Sequence, residues 1–358
     1  MNKNLKDFSI LLFRSVAFWI VACFFLIIIR YYGIGEEEGS VLPEEYDVPI
    51  SEWFDVLLYS GCLLGLFYAI VELFFEKIIS NKYSLGFVLL LKLFIYLITL
   101  ISVTTFTTVY FEYRMDIDLP NQQGWWQTSK AFWVSVLYFF ISSLVFSFLK
   151  IANDNFGRGV FVNMLLGKYR RPQEEERIFM FLDLKDSTTI AENLGHFLYS
   201  QFIQDCFLDL NRILNQYDAE IYQYVGDEAV LSWKFKKGIS KQNCVALFFD
   251  FQDRLKNRAA YYSNKYKRVP EFKAGLHGGK LMIAEVGTVK KELAFHGDVI
   301  NTTARIQGKC NAFNASLLIS EELLMKLSLK SDFKTEELGS LVLRGKQKKM
   351  NVFSITKA

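Results

Sequence analysis

The chain has 358 residues, 51% of them hydrophobic and 34 of them Phe, with a formal net charge of +3. That is too apolar for an ordinary soluble domain and too long for a single one. So small a net charge, with no Lys/Arg cluster interleaved with aromatic residues, argues against nucleic acid as a partner. Cys23, Cys62, Cys206, Cys244 and Cys310 form no close pair, which argues against a disulfide framework or a zinc site and for reduced packing residues.

The apolar excess falls in the first 150 residues. Ile10–Ile29 carries only Arg14, Trp53–Phe75 has a charge-free centre from Val56 to Val71, Leu85–Tyr110 carries only Lys92, and Ala131–Leu149 has no charge. Each run is near the ~20 residues that cross a bilayer. Four buried helices of a soluble bundle would show a polar face, and these do not. The first run is long, with no small-residue cleavage site after it, so a cleaved signal peptide is not expected.

The stretch Tyr31–Glu52 is acidic without a single Lys or Arg, whereas Lys3, Lys6, Lys150, Lys168, Arg170 and Arg171 fall on the other side. The basic side is the cytoplasmic one. This predicts a multi-pass protein of the inner (plasma) membrane, with the lipid bilayer as a partner and both termini in the cytoplasm. Arg14, Glu72 and Lys92 lie near the cytoplasmic ends of their spans and are expected to snorkel to the interface.

The chain therefore divides into a four-helix transmembrane domain over 1–151, a coupling segment over 152–176 and a cytoplasmic domain over 177–358. In the coupling segment Val160, Phe161, Met164 and Leu165 recur at helical spacing until Gly167 and Pro172 stop the pattern. That short helix suits pairing with its own copy or lying on the membrane beside Arg170 and Arg171.

In the last domain Ile178–Leu182 is an unbroken apolar run of strand length that ends on Asp183. Ser187, Thr188 and Thr189, all N-cap types, open a helix at once, with Glu192 as the acid of its first turn. Outward N–H groups at such a start attract phosphate, and Asp183 beside them can hold a hard cation. The helix continues through Ile190, Leu194, Phe202, Cys206 and Leu210. Next comes a hairpin, Ile221–Val225 returning as Ala229–Trp233, with Gly226-Asp227 at its tip.

Strand, helix and hairpin bring Asp227 beside Asp183, and two converging carboxylates read as a divalent-metal site completed by phosphate oxygens. A second helix is expected over Lys241–Lys265, then a hairpin of Phe272–His277 and Lys280–Val286 turning at Gly278-Gly279. Asn301 and Arg305 lie four apart on one helix face, a planar fork for phosphate beside an amide for a ribose, although spacing alone favours a solvated face. Arg344 and Lys346 belong to a charge run near the end. His196, His277 and His296 lack metal-ligand spacing, and Asp186 reads as a helix-start charge. The order of elements argues an α+β, ferredoxin-like domain.

Strand-Asp-helix start, Gly-Asp hairpin, Asn301-x-x-x-Arg305 and Leu343-Arg-Gly-Lys346 occur in the order found in class III nucleotide cyclases, which this half of the chain resembles. The resemblance implies an adenylate cyclase with two Mg2+ or Mn2+ ions per site on Asp183, Asp227 and the backbone carbonyl of Leu184. The helix start places phosphate contacts at Ser187 and Thr188, and the resemblance implies Asn301 on the ribose and Arg305 at the α-phosphate. Arg344, or Lys346 nearby, would hold the terminal phosphates. It further implies a homodimer, because in that family the acids of one chain meet the Asn/Arg pair of the other.

The base-reading positions fall on Gln223 and Ala294, where adenylate-forming members usually carry Lys and Asp or Thr. ATP is the expected nucleoside triphosphate, with GTP or a pyrimidine triphosphate as alternatives; a catalytically inactive sensor module is the rival from another class.

Overall fold

The protein is described by a computed structural model covering residues 3–33, 50–75, 85–115, 130–156, 160–289, 291–329, 331–342 and 349–358. Arg344 and Lys346 lie outside the described residues, as do most of the acidic loop residues. The chain forms two compact units, Met1–Ala152 and Asn153–Ala358.

The first unit is built from α1 (Lys3–Gly33), α2 (Ile50–Phe74), α3 (Leu85–Met115) and α4 (Lys130–Phe156). All four contain a stretch long and apolar enough to cross a membrane, from Phe8–Leu26 to Trp133–Ala152. α1 and α2 cross backbone to backbone: a Cβ on Gly65 would stand 2.5 Å from Val16 Cα, and one on Gly61 2.9 Å from Ile20 Cα. Small residues four apart are what lets apolar helices approach so closely. Trp19 fills the interior against Tyr68 at 4.4 Å and Phe139 at 5.9 Å between ring centroids.

The expected snorkelling of Glu72 and Lys92 is corrected here. Glu72 is 1% exposed and takes Lys92 Nζ at 2.7 Å, Lys150 Nζ and the Tyr96 hydroxyl at 2.5 Å. Three donors from two neighbouring helices make an inward rotamer cheaper than a stretch to the interface. Arg14 is exposed.

The second unit opens with the short α5 (Val160–Leu165) and β1 (Gln173–Leu184). Then follow α6 (Ser187–Leu214), the hairpin β2 (Glu220–Val225) and β3 (Glu228–Lys234), and α7 (Phe235–Ile239). After these come α8 (Asn243–Asn257), α9 (Ala259–Tyr266), β4 (Phe272–Val286), β5 (Glu292–His296) and α10 (Asp298–Gln307). β6 (Leu317–Ser320), α11 (Glu321–Leu324), β7 (Phe333–Val342) and β8 (Lys349–Lys357) complete it.

The sheet runs β2-β3-β1-β4-β6-β8-β7, with β5 as a further partner of β4. Its first four strands with α6 and α8 make the βαββαβ ferredoxin-like unit, and among the described residues only β4 with β6 is parallel.

Alternation on β1 divides the core. Ile178, Met180, Leu182 and Leu184 pack under α6, α8 and α9 with Phe202, Phe248 and Tyr262. Phe179 goes to the other face with Leu281, Ile283, Val299, Tyr222 and Phe295.

Three local expectations change. Gly278-Gly279 is not a turn: β4 is one strand of 15 residues, and β1 pairs alongside it from Leu184↔Phe272 to Gln173↔Ile283. The glycines are there for close approach, since a Cβ on Gly278 would lie 3.0 Å from Ile178 Cγ1 and one on Gly279 3.1 Å from Val299 Cγ2. The cap of α6 is Asp186, in the left-handed region at φ 58°, so Ser187 is already the first helical residue and Glu192 falls beyond the first turn. And α6 breaks at Gly195, whose φ of 70° suits a residue without Cβ.

Candidate active site

β1 delivers Asp183 at its C-terminal end, on the face of Phe179 and Phe181. In the ladder its Cα neighbours are Glu228 on β3 and Lys273 on β4. Glu228 follows the two-residue hairpin loop Gly226-Asp227, in which Gly226 alone takes positive φ, 62°. The hairpin root is fixed by Arg177, 4% exposed, which donates to Ser232 Oγ at 2.8 Å and to Glu220 at 2.9 Å. Asp183 and Asp227 thus share one corner of the sheet.

The electrostatics of that corner follow. Glu228 is pushed up to about 7 by burial first, then by the charges of Asp183 and Asp227. The Tyr199 phenol is pushed up by burial and by Asp227, with Asp183 adding, against an opposing hydrogen bond with Ser187. In a straight helix Ser187 and Tyr199 would stand ~18 Å apart along the axis; the break at Gly195 folds the second half of α6 back toward its start.

Asp183 is engaged by Lys273 Nζ at 3.1 Å and by Gln307 Nε2 at 2.9 Å. Gln307 reaches it because α10 lies directly on β4: a Cβ on Gly275 would collide with the Gln307 backbone. The buried side of α10 is Val299, Thr302, Thr303, Ile306 and Gln307, and the Thr302 hydroxyl donates to the Asp298 carboxylate at 3.1 Å. Asn301 is exposed and Arg305 half-buried, together on the outward side. Among the described residues, neither bonds to Asp183 or Asp227.

Ser187 and Thr188 occupy the first helical positions of α6, with Thr188 exposed. Leu184 is buried and Asp186 pairs with Arg268 at 2.8 Å. A bulge between Ile221 and Gln223 puts Tyr222 and Gln223 on the Asp183 face together, Gln223 opposite Val230 and Tyr222 4.7 Å from Phe295. Ala294, next to Phe295, pairs with Ala284 on β4.

Glu228, Tyr199, Lys273 and Gln307 escape a reading by motif. Glu228 alone had a signal, an acid directly after the Gly-Asp tip.

Residues 170–357, just over half of the chain, match the adenylate and guanylate cyclase catalytic domain. The chain belongs to this cyclase family. Among curated relatives, "Adenylate cyclase 2" of Rhizobium meliloti (strain 1021) is 36% identical over 200 residues, 56% of this chain and 55% of that protein. "Adenylate cyclase" of Anabaena cylindrica is 19% identical over 49% of this chain and 36% of that one. The chain spans about half or less of the length of these relatives. A solved bacterial light-regulated adenylyl cyclase shares the fold at a TM-score of 0.50 and 19% identity, over 60% of this chain and 64% of that one.

The cyclase domain's acids suit a divalent cation. Asp183, Asp227 and Glu228 offer hard oxygens, and burial, with the charges of the two aspartates adding, pushes Glu228 up to about 7. Among the described residues no three His, Cys, Asp or Glu side chains converge as a finished cage.

Proposed function

We propose that the chain is a membrane-anchored adenylate cyclase that acts as a homodimer, forming 3′,5′-cyclic AMP and pyrophosphate from ATP with two Mg2+ or Mn2+ ions per site. The observation that carries this reading is the meeting of Asp183 and Asp227 around Glu228, on a sheet face whose helix α10 turns Asn301 and Arg305 outward.

Asp183, Asp227 and the Leu184 carbonyl would hold the cations. Bound there, a divalent ion polarises phosphate oxygens and lowers the pKa of the ribose 3′-hydroxyl. The first N–H groups of α6, at Ser187 and Thr188, face incoming phosphate. Lys273, already on Asp183, is placed to move onto a phosphate oxygen once a cation takes over the carboxylate. Arg305 of the second copy would brace charge at the α-phosphorus and Asn301 orient the ribose, since neither meets the acids of its own chain. Gln223 and Ala294 would face the base, the amide donating and accepting toward adenine; Arg344 or Lys346 would hold the departing pyrophosphate. The name of the 36% identical relative supports ATP over GTP or a pyrimidine triphosphate.

The four apolar helices support anchoring in the inner (plasma) membrane, and the basic bias of the loops supports a cytoplasmic catalytic unit, where nucleoside triphosphates are. Incubating the full-length chain with ATP, GTP, CTP or UTP and Mn2+ should yield cyclic AMP as the main product. A different cyclic nucleotide would overturn the base assignment, and no product from any would overturn the activity. Co-expressing an Asp183→Ala chain with an Arg305→Ala chain should restore about a quarter of wild-type turnover, because half of the dimers are mixed and each has one intact site. No rescue would reject shared sites.

A further inference from the structure

The interior polar groups of the membrane unit follow one spacing on three helices. On α2, Tyr68 and Glu72 stand four residues apart; on α3, Lys92 and Tyr96 do; on α4, Ser143, Ser147 and Lys150 follow at four and three. Each set lines one helix face. Contacts join them: Tyr68 to the Ser143 hydroxyl, the Tyr68 ring on Tyr96 at 3.9 Å, and Tyr96, Lys92 and Lys150 all on the Glu72 carboxylate. A buried ionised residue among membrane helices is costly to keep, which makes it a candidate for function.

α1 and α2 hold each other by backbone contact at Gly61 and Gly65. α4 reaches the bundle through side chains, with Tyr138 on the Ala22 carbonyl at 2.7 Å, Ser143 on Tyr68 and Lys150 on Glu72. α4 is also the helix that leads into the catalytic unit, and Lys150 lies two residues before the end of the first unit.

We propose that Glu72 and Lys150 are positioning residues for the cyclase reaction: their ion pair fixes the rotation and depth of α4, and through α4 the register in which two catalytic units meet. This rests on the homodimeric cyclase reading above. Lys150→Met is the informative change, because it removes the ionic tie of α4 alone, leaving Glu72 paired with Lys92 and Tyr96 and the contacts of Tyr138 and Ser143 in place.

In the full-length chain reconstituted in lipid vesicles, Lys150→Met should lower kcat by about fivefold or more with KM for ATP unchanged, the size of an ordinary coupling between sites. Lys150→Arg, and the exchange Glu72→Lys with Lys150→Glu, should restore it, which a merely structural side chain would not require. Unchanged kcat in Lys150→Met overturns the proposal, and so does a loss that neither restoring variant repairs. Should Lys150→Met not fold, the exchange variant decides: wild-type kcat supports the pair and a comparable loss overturns it. Asp183→Ala is run beside these. A wild-type chain without product sinks the cyclase reading and this proposal with it, whereas an active wild type with an active Lys150→Met sinks the latch alone.

Discussion

Two acid clusters, one in each unit, are built on opposite terms. Glu72 sits among membrane helices with two ammonium groups and a phenol directed at its single carboxylate. At the corner of the catalytic sheet, Asp183, Asp227 and Glu228 crowd together, and Lys273 pairs with Asp183 there. Full compensation makes the first cluster a fastening, because a charge with all its partners gains nothing from a newcomer. Under-compensation would make the second a receptor under the proposed function, since a hard cation and a triphosphate would supply what the protein withholds.

Removing an acid should therefore have opposite consequences in the two places. Asp227→Ala should reduce turnover by at least ~10³-fold, because the site would lose one of the two carboxylates proposed to hold the cations. Its melting temperature should not fall, because a repulsion leaves with the side chain. Parallel kinetics and calorimetry check both halves. Glu72→Ala strands two lysines in an apolar interior and should destabilise the membrane unit by about 3–5 kcal/mol. Equal stability of Glu72→Ala and wild type in detergent would break the comparison at its first member.

What is legible in the residues alone differs along the chain for physical reasons. Asp183 was legible because an apolar run has one place to surface, and Asp227 because Gly-Asp between alternating residues is a turn. The α+β order and the four spans were legible from periodicity and length. Gly278 and Gly279 were not: a glycine pair reads as a turn, and that Ile178 and Val299 leave no room for a Cβ is a fact about distant neighbours. Glu72 and Lys92 looked like interfacial charges because Lys150, their third member, lies 78 residues from Glu72 along the chain. Lys273 and Gln307 carry no motif at all, and meet Asp183 only once β4 and α10 are stacked. The bulge at Tyr222, which sets the face of Gln223, has no mark in the residues themselves.

The smallest effect tests the receptor directly. Glu228 has a folded-state pKa of about 7 against an ordinary 4.5, raised by burial and then by Asp183 and Asp227. A carboxyl whose pKa is raised by folding contributes stability below its unfolded value, and that contribution is lost as pH rises through the folded one. In EDTA the catalytic unit should accordingly lose stability between about pH 4.5 and pH 7, and little more above it. Glu228→Gln removes the titration, so its stability should be flat over that window and exceed wild type at pH 8 by on the order of 1 kcal/mol, a value reduced for solvent screening of a half-buried group. Mg2+ with a non-hydrolysable ATP analogue should flatten the wild-type profile in the same way, since the added cation offsets the repulsion that the amide removes. A wild-type profile equally steep with and without the cation would mean that these three acids do not act as one receptor.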